Sequence, residues 1–537
     1  MTNLFRTKSP ELLIRESEAP DRKMKRSLTA FDLTCLGIGA IIGAGIFALA
    51  GTAAAGEAAR VGDSVLKTPV INFIESFVRH TDLVFGRPAA GPAVALSFVV
   101  AAIACAFAAL CYSELASMIP VSGSAYTYSY ATLGEIVAWI IGWDLILEYA
   151  VGNMAVAKGW SDYFVKFLYS ASHGAITFPL WLITDPTTAA TKISQGGETT
   201  QYYSSIALPH LFGHPFALDL PAFCIVAAVT VLLIYGIHET AKTNSIIVVL
   251  KVAVVVFVIA FGAFMVHPVN WHPFMPSGFG GVMSGAAIVF FAFIGFDAVS
   301  TTAEETKNPQ RDLPIGMITS LIICTVLYVL MALILTGIKK YTVYLGDSAA
   351  VATAFASKPW AQALISAGAL AGLTSVLIVF QLGQPRILMA MARDGLLPAF
   401  FARIHSRFRT PYVTTILTGI VVGGVALFVD IGSLADLTNI GTLFAFALVC
   451  SGVIVLRRKD PDRVRPFRVP FVPLFPILGV LFCFALMLSL PIETWVRFFI
   501  WLAIGLTIYF LYSIRHSRLR QGIDTGETEN QFPPIGP

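Results

Sequence analysis

Charge is scarce in this chain. Only 13% of its 537 residues are Asp, Glu, Lys or Arg, and 56% are hydrophobic, with a mean hydropathy of +0.76. Soluble domains carry about 25% charged residues, and a water-soluble core cannot absorb this much apolar surface. Metal-ligand spacings are missing as well. Cys35, Cys105, Cys111, Cys224, Cys324, Cys450 and Cys483 all fall inside apolar segments, which argues against a disulfide framework or a zinc site, and no metal is expected. The apolar segments hold neither an HExxH pattern nor a Ser with a His to serve it, so no enzyme chemistry is expected of them. A channel would need a continuous polar stripe on several helices, and none is evident. The formal charge of +4 is small, there is no low-complexity tract, and no nucleic-acid partner is expected. The polar N-terminal stretch shows no cleavable signal pattern, because the apolar run that follows is too long for one; that run is expected to anchor the chain and to stay.

What is present is apolar runs of spanning length, roughly 20 residues each. Twelve are read, at Leu28 to Gly56, Gly91 to Ile119, Glu135 to Tyr169, Leu220 to Ile237, Ala241 to Val266, Gly281 to Glu304, Leu313 to Gly337, Trp360 to Ala392, Pro411 to Val429, Ile431 to Leu456, Val472 to Leu490 and Thr494 to Ile514. Cytoplasmic loops retain Lys and Arg. With both termini inside, 24 of the 36 Lys and Arg lie on the inner side and nine on the outer, which predicts an even helix count with cytoplasmic ends. The expected organisation is a cytoplasmic segment 1–27, a first five-helix unit 28–266 with outer loops 57–90 and 170–219, a second five-helix unit 267–456, two further helices in 457–515, and a cytoplasmic tail 516–537. Within the first outer loop, Pro69 to Val78 is amphipathic and too short to span, suiting the membrane surface or the cap of a vestibule. Within the second, a turn is read at 195–198. Neither loop is given a chemical role.

Two runs carry features that a plain spanning helix does not need. The first reads LGIGAIIGAGIF, with Gly37, Gly39, Gly43 and Gly45. Gly39 and Gly43 fit a helix-packing face. Alternatively, Gly43-Ala44-Gly45 lets the backbone leave helical geometry, and freed amides in hydrocarbon are tolerable only where they line a cavity or site. The sixth run reads FFAFIGFDAVST, placing Gly295 and the charged Asp297 at mid-membrane, where a lone carboxylate must be compensated. Interruptions in helices 1 and 6 point to an inverted repeat with a site at its interface. Amides of the first break suit a carboxylate, helped by a half-helix dipole, and carbonyls of the sixth suit an ammonium group. A zwitterion with both groups on one carbon fits the pair.

Four further charges inside runs are weighed. Lys251 is either a snorkelling lysine near the inner surface or a proton site, since desolvation lowers a lysine's pKa. Asp144 and Glu148, at i and i+4 in the third run, either face a polar cavity, with Glu148 selecting a substrate side chain, or pair with a neighbouring base or amide. Glu114 lies near the end of the second run, where solvation or pairing is expected. The histidines away from the runs are read as surface residues.

The segments FDLTCLGIGAIIGAGIF, PVSGSAYTYSY, IIGWDLILEYAVG, FFAFIGFDAVSTTAEETKNPQRDLPIG, GQPRILMAMARDGLLP and FRVPFVPLFPILG together resemble the cationic amino acid transporter branch of the amino acid, polyamine and organocation superfamily. The resemblance implies an all-α integral membrane protein of the LeuT-type fold, with twelve transmembrane helices in two inverted five-helix repeats followed by two more. It implies that the backbone at Ile41, Gly43, Ala44 and Gly45 holds a substrate carboxylate, and that carbonyls of Phe291, Ala292 and Ile294 hold its amino group. Phe291 would gate the site, with Glu148 and Asp297 at the side-chain pocket. Lys251 matches a fifth-helix lysine that stands, in proton-coupled relatives, where sodium binds in others. The expected ligand is therefore a small-molecule amino acid, with the lipid bilayer as surroundings and a proton as the coupling ion in place of a cofactor. Ala44 departs from the Thr or Ser of many relatives, removing a hydroxyl from the carboxylate site. Bacterial members of the branch can favour small neutral amino acids, so a cationic substrate is not implied. Proton-coupled import across the cell membrane and exchange of cationic amino acids or amines both fit.

Overall fold

The computed structural model describes residues 4–17, 26–56, 65–79, 83, 85–121, 124–195, 201–211, 214–235, 241–405 and 410–522. It is an all-helical membrane protein, and the only strands among these residues are two short pairs inside loop 170–219. Among the described residues, nine helices are long and apolar enough to cross a bilayer. They are Ala30–Ala55, Gly91–Met118, Glu135–Ala171, Ile246–Ala263, Gly278–Glu305, Pro309–Ile338, Pro359–Arg393, Ile431–Lys459 and Ile492–His516. The fourth, ninth and eleventh runs form helices of 15 residues each, Leu220–Ile234, Tyr412–Ala426 and Leu474–Leu488. At 1.5 Å per residue these reach about 22 Å, short of a hydrocarbon core of about 30 Å.

Local chemistry sets where the first helix starts. Thr29 caps it: its hydroxyl accepts from the Asp32 amide, while the Asp32 carboxylate accepts from the Thr29 amide at 2.9 Å, a reciprocal capping box. Just before this cap the chain pairs with the end of the sixth span. The amides of Ser27 and Leu28 donate to the Glu305 carbonyl at 2.8 and 3.0 Å, and the Lys307 amide donates to Leu28 at 2.9 Å. The third span packs along the eighth and tenth, and the seventh packs against the first and second.

Glu114 is paired rather than solvated. It is buried and accepts from Arg457 Nη2 at 2.6 Å and from the Val469 amide at 2.7 Å, which pins the segment between the tenth and eleventh spans to the second. In loop 57–90 the amphipathic stretch is the helix Val70–Arg79. It is held by backbone bonds to the turn before the last span: Val70 N to Leu490 O at 3.2 Å and Ile492 N to Thr68 O at 3.2 Å. Its apolar side chains Ile74, Phe77 and Val78 face outward. His173, His210, His267 and His272 are exposed. Of the turn read at 195–198, residues 196–198 lie outside the described residues.

Candidate functional site

Both expected interruptions are present. The first helix stops at Ile41, the chain turns extended at Ile42 (ψ 98°), and helix resumes at Gly45 as a π-helical turn running into Ala50–Ala55. The sixth span runs as α-helix from Gly278 to Val289, tightens to a 3₁₀ turn at Phe290–Phe293, opens at Ile294 (ψ 134°) and Gly295 (φ +114°), and continues as 3₁₀ helix from Asp297 to Glu305. Gly295 needs its positive φ, which side chains other than glycine's adopt at a steric cost.

The glycines of the first break act differently from expectation. Neither Gly43 nor Gly45 takes a left-handed conformation, and the departure from helix falls on Ile42. Gly45 is required by proximity: a Cβ there would stand 2.1 Å from the Ala292 Cα. At Gly43 a Cβ would meet Val376 Cγ2 of the eighth span at 3.0 Å. The missing side chains let the two breaks touch backbone to backbone.

This contact leaves main-chain groups with defined fates. The amides of Gly43, Ala44 and Gly45 donate no hydrogen bond among the described residues. Those three amides open the N-terminal end of a half-helix, where partial positive charge favours an anion. Across the contact, the Phe291 carbonyl accepts from the Ile294 amide at 3.3 Å, and the Ala292 carbonyl lies 3.1 Å from the Tyr328 hydroxyl. Of the three carbonyls expected to meet an amino group, only that of Ile294 has no partner among the described residues. Phe291 itself is buried.

Tyr328, on the seventh span, was not singled out from the sequence. Its hydroxyl lies 2.7 Å from the Ile41 carbonyl as well as 3.1 Å from that of Ala292, so one proton is shared between oxygens of both breaks. Asn439 of the tenth span is a second addition. Its amide donates to the carbonyls of Ala287 at 2.7 Å and Ile288 at 3.2 Å, satisfying the last turn before the sixth break. A polar side chain in the middle of an apolar run was the available signal for both.

Lys251 does not snorkel. It is 1% exposed, its stem packs on Gly372, and its ammonium donates to the Gly39 carbonyl at 2.8 Å. That carbonyl belongs to the last turn of the first half-helix, the negative end of its dipole. Asp297 begins the second segment of the sixth span and is compensated by backbone amides around it and by the Ser124 hydroxyl at 3.3 Å. Glu148 lies beside Thr442 and near enough to Asp297 for their charges to interact. Asp144 is buried against Gly441, and neither of its oxygens has a hydrogen-bond partner among the described residues. Asp144 and Glu148 are thus not paired with a base among the described residues.

The opposite character prevails toward loop 170–219. Lys158 lies 3.0 Å from Asp185 and 2.8 Å from Asp219, Lys192 lies 3.0 Å from Asp162, and Lys166 binds Asp347 and Thr353, every one of these charged side chains being buried. Arg87 of loop 57–90 pairs with Asp436 of the tenth span at 2.7 Å. Burial alone would raise the Asp185 and Asp347 carboxyls, yet Lys158 and Lys166 respectively hold them below the ordinary carboxylate range. Burial likewise opposes charge on Lys192, and Asp162 carries it well above the usual lysine value.

Residues 68–510 match the family model described as amino acid permease. The chain is 47% identical over 521 residues to the branched-chain amino acid permease BcaP of Bacillus subtilis, covering 97% of this chain and 99% of that protein. It is 42% identical to the methylthioribose transporter of the same organism, covering 97% and 100%. It is 34% identical to the vacuolar cationic amino acid transporter 4 of Arabidopsis thaliana, covering 86% and 68%. The chain belongs to the amino acid permease family, within the amino acid, polyamine and organocation superfamily. It is a multi-pass membrane transporter and not an enzyme.

Proposed function

We propose that this permease imports amino acids across the plasma membrane by proton-coupled symport with alternating access. The observation that carries the reading is the set of amides at Gly43, Ala44 and Gly45, buried, without hydrogen bonds, and in backbone contact with a second break that offers the Ile294 carbonyl. A buried main-chain group without a partner costs about 1–3 kcal/mol, so a ligand that supplies partners to both breaks is bound with that much gained back. An α-amino acid supplies a carboxylate to the amides and an ammonium to the carbonyl. Phe291, beside this carbonyl, would close over the ligand, and Ile41 and Ala292 would sense it through Tyr328.

Lys251 is the proposed proton carrier. Its contact with Gly39 lies one turn before the first break, so a change of charge there acts on the same half-helix that meets the substrate, and the two ligands stabilise each other reciprocally. Twelve spans in a five-plus-five inverted repeat, two further helices and cytoplasmic termini complete the proposal, supported by the paired breaks and the distribution of Lys and Arg.

The test is uptake of labelled amino acid into vesicles with and without an imposed pH gradient. Lys251→Ala is expected to abolish proton-driven accumulation while substrate binding persists. Accumulation at the wild-type level in that variant would remove the coupling claim. The buried acids Asp144, Glu148 and Asp297 support a second reading, exchange of cationic amino acids or amines, because a positive side chain would find three carboxyls and no competing base. Vesicles loaded with substrate against empty ones separate the two, strict dependence on internal substrate favouring exchange. The relatives carry names as different as branched-chain amino acid permease and methylthioribose transporter. A competition panel of neutral, acidic and basic amino acids, with methylthioribose included, fixes the substrate class.

A further inference from the structure

We propose that the end of the molecule where the seventh span begins carries a binding site for one anionic phospholipid. A pocket of about 500 Å³ opens there between the first turns of Pro309–Ile338 and residues Pro466 and Phe467, which belong to the segment joining the tenth and eleventh spans. Its lining divides by chemistry. Gln310 and Arg311 form one end, and Pro314, Ile315, Ile318 and Phe467 form the wall.

The polar end is electrostatically uncommitted. Three arginines in or beside the segment that joins the tenth and eleventh spans are already used: Arg457 and Arg465 lie 2.6 and 3.4 Å from Glu114, and Arg463 lies 2.9 Å from Glu11. Arg311 is exposed and forms no ion pair among the described residues, while its neighbour Asp312 is buried and does not line the pocket. A guanidinium free to present its planar donors fits a phosphodiester.

The apolar wall continues past the pocket. Ile315, Ile322, Val326 and Leu330 are 38, 59, 54 and 42% exposed, and their spacings of seven and four residues put them on one helical stripe with Arg311 at its head. A cation at the polar end of an exposed apolar stripe on a spanning helix matches a ligand with an anionic head and a hydrocarbon tail. A zwitterionic choline head would bring its own cation against Arg311, so an anionic lipid is preferred. The other face of the same helix reaches the site: Gly316 packs on Leu33, and Ser320 on Gly37, both of the first broken helix. Occupancy of the pocket therefore bears on the element that the substrate engages.

The full-length protein, purified with an equimolar mixture of phosphatidylglycerol and phosphatidylcholine and examined by native mass spectrometry, tests this. The expected result is one retained phosphatidylglycerol, reduced at least about tenfold in Arg311→Gln, the loss of about 1.4 kcal/mol of binding. Ile318→Trp, which fills the pocket and keeps the charge, is expected to lose the lipid too. Retention of phosphatidylglycerol by both variants, or equal retention of the two lipids by the wild type, would overturn the proposal. Displacement of the lipid by millimolar inorganic phosphate would also overturn it, by identifying a site for free phosphate.

Discussion

Lys158 and Lys251 are both buried lysines, and their surroundings differ in kind. Lys158 stands between two carboxylates at 3.0 and 2.8 Å, in a cluster that joins the third span to loop 170–219, whereas Lys251 donates to a neutral carbonyl at 2.8 Å beside a break in the first span. The same contrast separates the outer cluster from the centre as a whole. Outside, charge meets charge and the groups are locked in place; at the centre, amides and a carbonyl are left without protein partners. Enclosed polar groups that have found each other hold a fold together, and those that have not are available to a ligand.

The largest effect expected on breaking this contrast is at the outer cluster. Lys158→Met leaves Asp185 and Asp219 buried against each other, and removal of one partner of a buried pair costs about 3–5 kcal/mol. The melting temperature should fall accordingly, with the substrate affinity of the folded protein unchanged. An unaltered melting temperature would show that the cluster does not secure the fold. At the centre, Gly45→Ala sets a methyl against the Ala292 backbone and should cost about 1–3 kcal/mol, read as a loss of substrate affinity of about 5- to 150-fold. Gly43→Ala meets only the end of the Val376 side chain and should cost less, so a binding titration that reversed this order would contradict the backbone contact as the critical one. Tyr328→Phe removes a single hydroxyl and should change affinity by at most about tenfold, corresponding to about 0.5–1.5 kcal/mol.

The smallest effect concerns pH. Because Asp185 and Asp347 are held below the ordinary carboxylate value, their contribution to stability is complete above about pH 3.9 and is lost as pH falls through the folded values. Lys192, carried above its ordinary value, contributes fully below about pH 10.4 and loses this as pH rises through its folded value. Between pH 5 and 8 Asp185, Asp347 and Lys192 should not titrate, and protease resistance of loop 170–219 should stay flat. A steep change in that interval would erase the distinction between the two regions.

The sequence made much of this visible, because spanning length and interruptions are local properties. The run LGIGAIIGAGIF and the pair Gly295 and Asp297 announced two breaks, whereas the capping box of Thr29 and Asp32 that starts the first helix was not read. Close approach at Gly45 was not legible, because it depends on Ala292, about 250 residues away in the chain. Tyr328 and the partners of Lys158, Lys166 and Lys192 were hidden for the same reason, since they lie on other helices and loops. The short ninth and eleventh helices differ from their apolar runs because hydropathy extends beyond the residues that keep helical geometry, as at Pro411 and Pro473, which flank them at their starts.

The main-chain bonds between Ser27, Leu28 and Lys307 on one side and the Glu305 and Leu28 carbonyls on the other make no use of side chains. No single replacement at those positions, proline apart, can sever them, so the head of the first rod and the foot of the sixth are yoked irrespective of residue identity. While these bonds hold, a displacement that starts at either end is carried to the other.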